Sequence, residues 1–194
     1  MLAFLHEIEI ITLPLGNNYK NPVFHENLLN QILYVVILAP VFEEIIYRLA
    51  LKYSEINLTV ATFFIIYDLT SFFLDVGFYD FNSYLILRII ISFAIALLLL
   101  LVLHQNKLIY KKVRCIYNNK IIFLLIFYFQ LFHFAFSHLN LFVFENKVLI
   151  SSIFVMLPYI VMSFFISYTR LKLGILYAIV FHMINNSLPL LSLL

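Results

Sequence analysis

Two adjacent carboxylates and an arginine interrupt an apolar run in the first quarter of the chain. Glu43, Glu44 and Arg48 lie in the sequence APVFEEIIYRLA, which begins at residue 39. A charge at the centre of a membrane helix costs about 2.5–3.5 kcal/mol on insertion scales, so a charge kept there indicates a role. Glu44 and Arg48 are four residues apart and can pair on one helix face. Glu43 lies about 100° around the helix, which leaves one carboxylate for acid–base chemistry. The alternative is an internal salt bridge with a spare charge at the membrane surface.

Three more polar side chains lie in later apolar segments. His138 follows Phe134 by four residues in LFHFAFSHL, which begins at residue 131. His182 and Asn186 are also four apart, so both can donate hydrogen bonds into one space, as an oxyanion-stabilising pair requires. The alternatives are a histidine satisfied within the core and a polar clamp between helices, worth ~1 kcal/mol for each bond.

The composition identifies the class of protein that must position these side chains. Hydrophobic residues make up 64% of the 194 residues and charged residues 11%, whereas a soluble domain has about half and a quarter. This composition predicts a membrane protein. The net charge of +2 is too small to indicate a nucleic-acid partner. Cys115 is the only cysteine, which excludes an intrachain disulfide and a cysteine-based metal cluster.

Apolar runs predict an all-α, polytopic transmembrane helical bundle of about six spanning helices. Residues 1–16 are too short to cross a bilayer and predict an N-terminal interfacial or re-entrant helix. A polar connector completes an N-terminal segment, 1–30, and a single domain is expected over 31–194. The predicted spans are 31–53, 59–77, 84–104, 121–144, 148–168 and 172–193.

Basic residues predict the orientation of these spans. Eight of the twelve lysines and arginines fall in three alternate connectors, at 52–58, 106–120 and 169–172. Because cytoplasmic loops carry an excess of Lys and Arg, these connectors are expected to be cytoplasmic, in a cytoplasmic (inner) membrane. Asp75 and Arg88, near span ends, are expected to reach the interface.

The three motifs together resemble a known family. Glu43-Glu44-x-x-x-Arg48, Phe134-x-x-x-His138 and His182-x-x-x-Asn186 occur in the same order as in the CPBP family. These are the intramembrane endopeptidases of the CAAX-prenyl-protease and bacteriocin-processing type, also called the Abi family. Flanking residues agree as well, with Ala39-Pro40 before the glutamates, Leu139 after the histidine and Ser187 after the asparagine. The resemblance extends from about residue 31 to the end of the sequence.

The resemblance implies hydrolysis of a peptide bond within the membrane. Glu43, with His138, would activate a water molecule. His182 and Asn186 would stabilise the oxyanion, and Glu44 with Arg48 would orient the site as supporting residues. A metal-free mechanism is favoured. The alternative is a divalent metal such as zinc, which usually takes three protein ligands, here Glu43, His138 and His182.

The expected partners are membrane lipids and a peptide substrate, either lipidated or a peptide toxin. A non-catalytic immunity or scaffold protein is the alternative function. A transporter with a proton relay is disfavoured because repeats and Gly/Pro-broken helices are not evident. Asp68 and His133 are left without an assigned role.

Overall fold

The computed structural model describes residues 29, 32–80, 83–138 and 148–191. Within these residues all regular secondary structure is helical, and short turns and loops connect the helices. A π-helical segment, Ile32–Leu38, and a short 3₁₀ turn, Leu49–Leu51, flank the first of seven α-helices. These are α1 (Ala39–Arg48), α2 (Glu55–Phe73), α3 (Leu85–Gln105), α4 (Lys107–Asn118), α5 (Lys120–Ser137), α6 (Val148–Lys172) and α7 (Ile175–Leu191).

The predicted all-α class is therefore confirmed for the described residues. Three helices, α2, α3 and α5, are long and apolar enough to cross a membrane, and this identifies a membrane protein. The part of α7 from Ile175 to Leu188 is also apolar but shorter. Six spans stay a prediction. The expected N-terminal helix and its connector fall outside the described residues, apart from residue 29.

Side-chain caps set the starts of several helices. Ser54 Oγ accepts a hydrogen bond from the Asn57 amide at 3.0 Å, so α2 begins at Glu55, four residues before the predicted span. Asn106 Oδ1 accepts from the amides of Leu108 and Ile109, both at 3.1 Å. The predicted connector 106–120 is consequently the amphipathic helix α4 rather than a loop.

Two further turns join helices with one or two residues. Asn119 Oδ1 accepts from the amides of Ile121 and Ile122, which starts α5 directly after α4. Gly174 separates α6 from α7 with a φ of 111°, a left-handed conformation that glycine adopts without a steric penalty.

Contacts divide the chain into two compact units. One unit comprises residues 41–127 and the other comprises residues 1–40 and 128–194. In the first unit, α3 packs against both α2 and α4. In the second unit, α7 packs against α6 and against the π-helical segment. Gln130 of α5 also donates to Ser167 Oγ of α6 at 3.1 Å.

A buried arginine fastens the loop that follows α2 in the first unit. Arg88 is fully buried, contrary to the expected position at the interface. Its guanidinium donates to Ser71 Oγ at 2.8 Å, to the Gly77 carbonyl at 3.0 Å and to the Asp80 carbonyl, and lies 4.7 Å from the centre of the Tyr67 ring. These bonds offset the free-energy cost of burying the charge, because a guanidinium can donate hydrogen bonds to several acceptors at once.

Arg88→Lys is expected to lower the free energy of unfolding by about 1–3 kcal/mol, since lysine keeps the charge but cannot reach every acceptor. Arg114→Lys, on an exposed side chain, is the matched control and should change it by less than about 0.5 kcal/mol. Thermal unfolding in detergent measures both variants, and equal shifts in Tm would show that the loop does not depend on the guanidinium.

Candidate active site

The predicted ion pair of the first motif forms within α1. Arg48 Nη1 donates to Glu44 Oε1, and both side chains are 0% exposed. The two residues lie one helical turn apart, so a single α-helical turn suffices to bring them together. The pair is a fixed structural element of this helix. The carboxylate of Glu44 is bound to the arginine.

Glu43 lies next to an aromatic cluster in the same unit. The Phe42 ring has its centre 5.5 Å from that of Phe64, 5.4 Å from that of Phe78 and 5.9 Å from that of Tyr79. Glu43 itself is half-buried. Phe42 therefore anchors the start of the motif between α2 and the loop that Arg88 fastens.

Tyr79, in that loop, is a residue that the sequence motifs do not include. Desolvation of its hydroxyl raises its pKa well above the ordinary value, and the carboxylates of Glu43 and Asp68 raise it further. Both carboxylates thus lie close to the tyrosine. At neutral pH Tyr79 keeps its proton and can donate a hydrogen bond to a carboxylate or a substrate. Asp68 is half-buried and belongs to the same group of side chains.

The second motif places His138 at the end of α5 with a defined tautomer. Its Nδ1 lies 2.8 Å from the Phe134 carbonyl oxygen and 3.4 Å from Ser137 Oγ. A carbonyl only accepts hydrogen bonds, so Nδ1 carries the proton and Nε2 is the basic nitrogen of the neutral ring. Tyr159 of α6 stacks on the imidazole with ring centres 4.5 Å apart. The ring is therefore held between its own helix and α6.

The Phe134 ring brings the second and third motifs together. It is fully buried, and its centre lies 4.5 Å from the His138 ring and 5.9 Å from the His182 ring. His182 is only 1% exposed. The phenylalanine of the motif is therefore the shared neighbour of both histidines, which explains why an aromatic side chain lies four residues before His138.

Asn186 makes a contact that the sequence motifs do not predict. Its Nδ2 donates to the Val35 carbonyl of the π-helical segment at 3.0 Å. In a π-helix the carbonyl of Val35 would accept from the amide five residues later, but that residue is Pro40, which has no N–H. Asn186 supplies the missing donor. One of its two amide protons is committed to this bond, and the carboxamide has a second.

His133 lies elsewhere on α5 from His138. It is exposed and its ring stacks on Phe129, with centres 5.8 Å apart. It lines an apolar cavity of about 390 Å³ together with Phe132, Phe136 and Met156. Its surroundings are those of an aromatic surface rather than of the polar groups described above.

No group of three His, Cys, Asp or Glu side chains that could hold a metal ion occurs among the described residues. The zinc alternative stays a prediction, because one of its ligands, Glu43, belongs to a different compact unit from the other two, His138 and His182.

The motif residues are divided between the two units. Glu43, Glu44 and Arg48 lie in the unit 41–127, with Asp68 and Tyr79. His138, His182 and Asn186 lie in the other.

A comparison with protein-family models, with curated proteins and with solved structures finds no match for this chain.

Proposed function

We propose that the protein is an intramembrane peptidase of the CPBP type, which hydrolyses a peptide bond with a water molecule activated by Glu43 and His138. The observation that supports this most is the difference between the two adjacent carboxylates. Glu44 is fully buried and bound to Arg48, whereas Glu43 is only half-buried and lies beside a proton-bearing tyrosine. This difference supports the proposal that Glu44 is the structural carboxylate and Glu43 the reactive one.

In the proposed reaction Glu43 accepts a proton from water while the water oxygen attacks the scissile carbonyl carbon. His138 assists through Nε2, because the Phe134 carbonyl holds the proton on Nδ1. The tetrahedral intermediate collapses with cleavage of the carbon–nitrogen bond, and the proton passes from the acid–base pair to the leaving amine. The proposal requires Glu43 and His138 to reach the same water molecule.

His182 and Asn186 are proposed to stabilise the oxyanion. Oxyanion stabilisation needs donors that are fixed before the reaction, since reorganisation during the reaction would cost free energy. His182 is buried against Phe134, and Asn186 is fixed by its bond to Val35, which leaves its second amide proton for the substrate. Both side chains therefore have the rigidity that this role demands.

The proposed substrate is a peptide or a lipidated peptide, presented within a cytoplasmic membrane. The basic segment 106–120 is proposed to lie on the cytoplasmic side. Three described helices of spanning length support a site that is reached from the lipid phase. Substrate selection is assigned to the helical bundle.

The test is cleavage of a mixed library of plain and lipidated peptides by the purified protein in detergent. Products are expected with the wild type and not with Glu43→Gln, which removes the base but keeps the size of the side chain. Glu55→Gln is the matched control, because Glu55 lies at the first turn of α2 near His104, outside the proposed site. Activity that survives a strong chelator would favour the metal-free mechanism over the zinc alternative.

A non-catalytic immunity or scaffold protein is the second candidate. The bond from Asn186 to Val35 favours it, because this amide already has a structural task in joining α7 to the π-helical segment. Identical products from the wild type and Glu43→Gln, or none from either, would support this second function.

A further inference from the structure

The helix α4 carries a basic cavity that the proposed peptidase does not use. The cavity is open to the outside, has a volume of about 520 Å³, and is lined by six residues that recur along one helix face: Lys107, Tyr110, Lys111, Arg114, Cys115 and Asn118. All of these except Tyr110 are exposed. Segment 106–120 contains five basic residues and no acidic residue. The cavity is therefore complementary in charge to an anion.

The joints at both ends of α4 confine this helix to the membrane surface. Asn106 alone separates it from α3, and Asn119 alone separates it from α5, and both neighbours are long and apolar enough to span a membrane. The headgroup layer is about 5–8 Å thick on each side of a bilayer, and a helix is about 10–12 Å across. Because one-residue joints tie α4 to two helices of spanning length, we expect it to lie at the level of the lipid headgroups.

Aromatic packing fixes the rotation of α4 about its own axis. The Tyr53 ring lies 5.0 Å from the Tyr117 ring and 6.0 Å from the Tyr110 ring, measured between centres. Burial raises the pKa of the Tyr117 hydroxyl, as does the neighbouring Tyr53. The tyrosine face is thus turned towards the protein, and the basic face keeps a constant orientation beside it.

We propose that this cavity binds the phosphate of an anionic phospholipid headgroup through Lys107, Lys111 and Arg114. The three cations follow one another at positions i, i+4 and i+7, so they can surround one phosphate group. Juxtamembrane basic clusters recognise anionic lipids through this charge complementarity. The lipid is chosen over a soluble anion because the joints keep the cavity at headgroup level.

Native mass spectrometry of the full chain, released from bilayer discs that contain phosphatidylcholine and phosphatidylglycerol, tests the proposal. The wild type is expected to retain phosphatidylglycerol in preference to phosphatidylcholine. Lys111→Gln should lower this enrichment about fivefold, the effect of one basic residue near an anionic surface. Lys112→Gln is the matched control. Lys112 lies about 100° around the helix from Lys111 and does not line the cavity, so its change should stay below about twofold.

Cys115 provides a second readout, because it is the only cysteine and lines the cavity. Phosphatidylglycerol should slow its alkylation by the neutral reagent N-ethylmaleimide in the wild type and in Lys112→Gln, but much less in Lys111→Gln. Equal retention of both lipids by the wild type, or equal losses in the two variants, would overturn the proposal. Displacement of the lipid by millimolar inorganic phosphate would also overturn it, since the site would then be one for a free anion.

Discussion

Arg48→Met is expected to lower the free energy of unfolding by about 3–5 kcal/mol, the usual cost of removing one partner from a buried ion pair. Glu44 would be left as a carboxylate that is 0% exposed, without the guanidinium that now donates to it. Methionine matches much of the volume of arginine, so the loss would come from the charge and not from a cavity. Titration of detergent micelles with SDS, followed by near-UV circular dichroism of the tyrosines, measures this stability.

Two further variants separate the charge from the packing. Arg114→Met makes the same replacement on an exposed side chain of α4 and should cost less than about 0.5 kcal/mol. Glu44→Leu combined with Arg48→Met removes both charges and should recover most of the lost stability, because apolar residues of similar volume often replace a buried pair at little cost. If Arg48→Met is no more damaging than Arg114→Met, the pair does not hold the fold of α1.

The helical fold could be predicted from the sequence where apolar runs were uninterrupted. The span predicted at 84–104 corresponds to α3, Leu85–Gln105, because this helix has apolar residues along nearly its whole length. The start of α2 was missed by four residues, since Ser54 caps the helix through its side chain and hydropathy does not register a cap. The helix α4 was missed for a related reason, because its many charges were taken as a connector and the cap from Asn106 at its start was not considered.

The single span predicted over 31–53 is the clearest difference in backbone. It divides into a π-helical segment, α1 and a 3₁₀ turn. Pro40 has no amide hydrogen, so a regular ladder of hydrogen bonds cannot pass through this position. The bond from Asn186 to Val35 depends on this irregular register and on a residue more than a hundred positions away. Such a contact cannot be read from helical spacing.

In the candidate site, too, helical spacing predicts local contacts but not contacts between distant parts of the chain. Spacing predicted the Glu44–Arg48 pair correctly, because both residues lie on one helix and the pairing is local. Tyr79 was missed because it belongs to a loop, and its position beside Glu43 and Asp68 depends on the contacts of Arg88 with that loop. Arg88 itself was expected at the interface. Two of the three acceptors that offset its burial are backbone carbonyls, which no side-chain motif reveals.

Glu43→Gln and His138→Gln should each lower kcat by about 10²–10⁴-fold if the two side chains form the proposed acid–base pair. The kcat of the double variant should be close to that of the less active single variant. Residues that act on one proton as a unit have strongly non-additive effects. The measurement is kcat on a peptide substrate that the library assay has identified, for the wild type, both single variants and the double variant.

The protein offers a matched control for the histidine on the same helix. His133→Gln makes the identical change on α5, but His133 is exposed and stacks on Phe129, apart from the Phe134 ring that both motif histidines contact. It should keep kcat within about twofold, since exposed substitutions rarely disturb the fold. If the fold losses in kcat of the two single variants multiply in the double variant, Glu43 and His138 act in separate steps. A loss in His133→Gln as large as that in His138→Gln would point instead to the aromatic surface of α5, and the tautomer fixed by the Phe134 carbonyl would no longer explain catalysis.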